Sequence, residues 1–99
     1  MTKQNLIEMA WDCAIIKPHF RDALVEIVKA AKVDSKKHLV AEISYRQIGK
    51  AVGLTPAGAK SRVKRLLSTG VIVMKKRSKG RGANIYAITK KLMSKGGEL

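Results

Sequence analysis

Between residues 50 and 97 the chain has no acidic side chain at all. So long a stretch without aspartate or glutamate leaves little for an enzyme to work with, and no nucleophile–base constellation or phosphate-cradling glycine loop is present elsewhere. The "KGRGAN" stretch has a Gly-x-Gly, but not the longer pattern that follows a strand and opens a helix. Cysteine is nearly missing too. Cys13 stands alone, cannot close an intramolecular disulfide, and reads as a small partly buried hydrophobe. The only histidines are His19 and His38, with no clustered carboxylates around them, so neither a metal nor a cofactor is expected. No apolar run approaches the roughly 20 residues that span a bilayer. The start, "MTKQNLIEMAWDCAII", lacks the basic, apolar and small-residue pattern of a secretory signal, so a cytoplasmic protein is expected.

What is present is a globular composition with a lopsided charge. The 99 residues are 45% hydrophobic and 28% charged, enough for one modest core and too few for two. The net charge is +14. Residues 1–49 carry eight Lys/Arg against six Asp/Glu, hence +2, whereas residues 50–99 carry thirteen against one, hence +12. An idle surface mixes its signs. A face this basic implies a polyanion partner, and composition does not choose among DNA, RNA and an anionic membrane.

Along the chain, Leu6, Ile7, Met9, Ala10, Trp11, Ala14, Ile15 and Ile16 are too apolar to be exposed, and the spacing suggests a short helix over roughly residues 4–13. In "KPHFRDALVEIVKAAK", Pro18 suits a first helical position, and Phe20, Ala23, Leu24, Ile27, Val28 and Ala31 form one helical stripe. A polar turn at residues 34–37 precedes "HLVAEI", a candidate short strand in which His38 is an edge side chain. Ser44 with Gln47 makes a capping box for a helix "YRQIGKAV" that should bury Ile48, Ala51 and Val52. Gly53 ends it, Leu54 fills the turn, and Thr55 with Pro56 starts a second helix burying Ala59, Val63, Leu66 and Leu67 before Gly70. Two capped helices about a short Gly-containing turn form a helix-turn-helix. Residues 71–74 and 85–88 then read as strands of a hairpin across the basic, glycine-rich "KKRSKGRGA", with Tyr86 in the strand core. "KKLMSKGGEL" gives half a turn of helix and a tail.

This order resembles the winged helix-turn-helix. "ISYRQIGKAVGLTPAGAKSRVKRLLSTGVI" is similar to the helix-turn-helix of many winged-helix DNA-binding proteins. The wing "KKRSKGRGANIYAI" is similar to the basic wings ending in Asn-x-Tyr of phage and plasmid replication proteins and small bacterial regulators. The likeness covers about residues 18–90. It implies an α+β, mainly α, fold of three or more helices with a C-terminal β-hairpin wing. The expected organisation is an N-terminal apolar segment at 1–17, helical and a candidate dimer contact, a winged domain at 18–92 and a flexible tail at 93–99.

The resemblance also implies function: a double-stranded DNA-binding regulator, or a replication or maintenance factor of a mobile element. It would be a nucleoid-associated protein without a small-molecule ligand. In that family the second helix of the motif lies in the major groove. Lys60, Ser61 and Lys64 would contact bases or phosphates, with Ala57 and Gly58 small enough to let the helix end approach and Arg65 at the margin. Thr55, Tyr45 and Arg46 at the two helix starts would hold phosphates. Lys75, Lys76, Arg77, Lys79 and Arg81 would put the wing on the backbone or in a narrow minor groove. This helix face has no Asn or Gln to read adenine, which leaves discrimination to the wing and a second subunit. The alternative is an RNA-binding ribosomal-type winged helix.

Overall fold

Punctuation residues set the element boundaries. The structure is a computed structural model that describes residues 3–13, 16–36, 38–78 and 82–93. Its elements are α1 (Lys3–Trp11), α2 (Pro18–Lys29), β1 (Ala31–Val33), β2 (Leu39–Ile43), α3 (Tyr45–Val52), α4 (Pro56–Thr69), β3 (Ile72–Lys76), β4 (Asn84–Ile88) and α5 (Lys90–Met93). The helices enclose one core with a four-stranded antiparallel sheet in the order β1-β2-β4-β3. This is the mainly helical α+β winged helix-turn-helix expected from the sequence, with the wing formed by β3 and β4. Of the N-terminal apolar run, Ala14 and Ile15 lie outside the described residues, as does the tail at 94–99.

Ser44 closes a full capping box at α3. Its hydroxyl accepts from Gln47 N at 3.1 Å, while Ser44 N donates to Gln47 Oε1 at 2.9 Å. Gly53 ends the helix with φ 77°, a left-handed value that costs a side chain with a Cβ dearly. Thr55 Oγ1 caps α4 by accepting from Gly58 N at 3.1 Å, with Pro56 following. Gly70 ends α4, again left-handed at φ 82°.

Two apolar readings shift. The stripe on α2 stops before Ala31, which instead starts β1 and pairs with Ala41. Asp34 makes that strand: its Oδ1 accepts from Lys36 N (2.9 Å) and His38 N (2.8 Å), and its own N donates to the His38 carbonyl (2.8 Å), closing a hairpin. On α3 the buried pair is Ile48 and Gly49, while Ala51 is exposed and Val52 half-buried. The reason is the sharp turn: the Gly49 carbonyl accepts from Leu54 N at 2.7 Å, and a Cβ at Gly49 would strike the Leu54 carbonyl oxygen. The helix therefore turns its smallest residue to the point of closest approach. Leu67 on α4 is only half-buried.

The N-terminal helix is part of the same core. Leu6 and Ala10 are buried, and α1 packs on α2 and α5. Arg21 ties the connection, donating to the Ile16 carbonyl (2.9 Å) and the Trp11 carbonyl (3.0 Å). At the other end of the chain, Thr89 Oγ1 donates to the Gly70 carbonyl (2.6 Å) and Lys91 Nζ to the Thr69 carbonyl (2.7 Å). A lysine at the last carbonyls of α4 suits the negative end of the helix dipole.

Candidate nucleic-acid interface

With Ala59, Val63 and Leu66 fully buried, helical periodicity turns the rest of α4 outward. Ala57, Lys60, Ser61, Lys64 and Arg65 are exposed and Gly58 is partly so. The first turn carries no bulky side chain on that side, so a flat or grooved surface can come close to the helix backbone there.

The two flanks of this face differ. On the α2 side, Arg62 Nη1 donates to the His19 carbonyl and to Asp22 Oδ1 (3.3 Å). Its guanidinium stands 5.3 Å from the Phe20 ring centre, and that of Arg65 stands 5.7 Å from it. Arg62 is thereby committed to holding α4 on α2. On the other flank Lys60 faces a cleft, with no acidic side chain among the residues that line it.

That cleft, about 580 Å³, lies where three elements meet. Tyr45 and Arg46 come from the start of α3, Pro56 and Lys60 from the start of α4, and Arg77, Ser78, Gly82 and Asn84 from the base of the wing. Tyr45, Arg46, Lys60 and Arg77, expected from the sequence to act together, border one space. Thr55, Ala57, Gly58, Ser61 and Lys64 share α4 and its cap beside it, whereas Arg65 sits over Phe20 instead. Lys75 and Lys76 are exposed on the wing, and Lys79 and Arg81 lie outside the described residues.

The wing owes its aim to a β-bulge. Met74 pairs with Tyr86, but Lys76, not Lys75, pairs with Ile85, so Lys75 is an extra residue. Regular pairing would have carried Lys76 to the Asn84 face. The bulge instead leaves Lys76 opposite Ile85, on the face where Glu42 lies, and Arg77 reaches the cleft.

Beneath the cleft is a nearly buried amide. Asn84 is 3% exposed; its Oδ1 accepts from Ser78 N at 2.8 Å and its Nδ2 donates to the Tyr86 hydroxyl at 3.1 Å. The backbone donor fixes which end of the amide is oxygen. Tyr86 is fully buried. Burial pushes its phenol well above the usual tyrosine range, the Tyr45 phenol beside it adds to the shift, and Asn84 and Arg77 oppose it. The hydroxyl stays neutral and serves as a structural hydrogen-bonding group.

Three cations around a space without a carboxylate can hold an anion, and phosphate diesters are the anion that repeats along a surface. A second cleft, of about 420 Å³ on α1, is of the opposite character, lined by Asn5, Glu8, Met9, Asp12 and Cys13. Among the described residues no group of three or more His, Cys, Asp or Glu could hold a metal. No helix among them is long and apolar enough to cross a membrane. Sequence reasoning passed over Asn84 and Ser78 as site residues. The signal for Asn84 was the Asn-x-Tyr that ends the wing, since alternation along β4 puts Asn84 and Tyr86 on one face.

Residues 41–73, from within β2 to within β3, match the family model described as winged helix-turn-helix DNA-binding. No curated protein and no solved structure matches the chain.

Proposed function

We propose that this protein is a sequence-directed binder of double-stranded DNA, a reading supported by the match of residues 41–73 to the winged helix-turn-helix DNA-binding model. The observation that carries this reading is the shared cleft: Arg46, Lys60 and Arg77 arrive from three elements beside the exposed face of α4. The start of α4 enters the major groove, Lys60, Ser61 and Lys64 face the bases or their flanking phosphates, and the wing follows the backbone or the minor groove. The protein acts without catalysis, as a transcriptional regulator or a replication or maintenance factor of a phage or plasmid. That narrower role rests on the likeness of its wing to theirs. A homodimer would meet through Trp11, which is 48% exposed while its neighbours Leu6 and Ala10 are buried. Two recognition helices would then fall about one DNA turn apart.

Titration of duplex DNA against salt tests the reading. Log K should fall linearly with log[salt], with a slope of several units at roughly −0.9 per phosphate contact. If structured RNA outcompetes duplex DNA at physiological salt, the ribosomal-type alternative replaces it. Sedimentation of a Trp11→Ala variant against the wild type decides the dimer.

A further inference from the structure

The sheet continues from the core into the wing without a change of strand, so something at its root must decide where the wing points. Three observations converge there. The bulge at Lys75 puts Arg77 next to the cleft. The Ser78 amide, one residue further on, is held by Asn84. Asn84 in turn is held by Tyr86, a ring wholly inside the core. Asn84 also sits opposite Ile43, the last residue of β2 before the Ser44 cap of α3. Hydrogen bonds at Asn84 and its pairing with Ile43 therefore join the exit of the wing strand to the element that starts with Tyr45 and Arg46.

The geometry points to Asn84 and Tyr86 as a latch that presets Arg77 toward the cleft beside Arg46 and Lys60, so that both are positioning residues for nucleic-acid binding rather than contacts. The function of the cleft rests on the DNA reading above; the latch itself does not. A buried amide of this kind stabilises only when both its ends are satisfied. Removing the Tyr86 hydroxyl leaves Nδ2 without that acceptor and lets the amide turn. The bond that fixes Ser78 N to Asn84 then weakens, and Arg77, the residue before it, is held less firmly toward the cleft. Preorganised contacts bind more tightly because the ordering cost is met before the partner arrives.

Tyr86→Phe is the informative variant, because it keeps the buried ring and deletes only the hydroxyl. In the free protein, amide hydrogen exchange at Ser78 should accelerate by about tenfold while Ile48 in α3 exchanges as in the wild type. Duplex affinity should drop by about tenfold, and that drop should vanish when the same change is made in an Arg77→Ala background. Unchanged Ser78 exchange overturns the latch. So does an affinity loss that persists in full without Arg77, since the hydroxyl would then act through Tyr45 or through general stability. A wild-type protein that ignores duplex DNA overturns the DNA reading instead, and the exchange measurement still decides the latch.

Discussion

The β1–β2 hairpin and the wing are closed by the same kind of bond from different side chains. In the first, a carboxylate does it: Asp34 Oδ1 accepts from Lys36 N and His38 N. In the wing, an amide does it: Asn84 Oδ1 accepts from Ser78 N. Geometry alone would allow an aspartate at either place, because both are side-chain acceptors for a nearby backbone donor. The surroundings differ. Asp34 belongs to the half of the sequence that keeps six acids, and Asn84 floors a cleft ringed by Arg46, Lys60 and Arg77. A carboxylate there would cancel positive potential where three elements converge. An amide gives the same bond and leaves the charge intact.

Exchanging the two chemistries is the strongest way to break this comparison. Asn84→Asp keeps an acceptor for Ser78 N but places a negative charge under the cleft. Duplex affinity at fixed salt should fall on the order of tenfold. The melting temperature should fall as well, since a nearly buried carboxylate loses its hydration. Affinity equal to the wild type, in a folded variant, would mean that the neutrality of the wing root has no part in binding.

A second, smaller effect separates cations that hold the fold from cations left for a partner. Arg62→Ala should cost about 1 kcal/mol in urea unfolding, a modest figure because the pair with Asp22 is partly exposed and screened, and should leave the salt slope for DNA unchanged. Lys60→Ala should do the reverse, with stability within about 0.5 kcal/mol of the wild type and a slope lower by about 0.9. The same pattern from both variants would erase the distinction between the flanks of α4.

The mildest test is Asp34→Asn. The bond from the His38 amide holds the Asp34 carboxyl below its usual 3.8. A depressed folded value means that its stabilisation is fully present above that pH and is lost as the pH falls through the lowered value. Wild type and variant should therefore differ in melting temperature at neutral pH and converge in acid, while DNA affinity stays within about twofold. An affinity change as large as that of Asn84→Asp would show that the two hairpins are electrostatically equivalent.

Local signals made most of the fold legible. Ser44 with Gln47, Gly53, Thr55 with Pro56, and Gly70 each act within four residues of themselves, and each does in the structure what its chemistry suggests. Ala31 misled because alanine fits a helical stripe as readily as a strand, and only the Asp34 turn and Ala41 across the sheet decide the matter. Gly49 gave no sign of burial, since its packing partner is a backbone carbonyl rather than an apolar side chain. The site was partly legible. Arg46, Lys60 and Arg77 were recognisable as a charge pattern on known elements, with Tyr45 next to Arg46 at the start of α3. The commitment of Arg62 to Asp22, forty positions away, is a tertiary fact with no local trace, and so is the bulge at Lys75.

Phe20 has an effect that extends past the surface of the protein. Its ring faces two guanidiniums, those of Arg62 and Arg65, and carries no charge of its own. A carboxylate in its place would have gathered Arg65 equally well and would have hidden it from any distant anion, as Asp22 already does for Arg62. An aromatic face attracts a cation through its quadrupole, which fades within a few ångströms, whereas the monopole of the cation reaches across a Debye length of roughly 8 Å at physiological salt. Arg65 is thus anchored nearby and still visible from afar. An approaching polyanion would register its full charge before touching any atom of the helix.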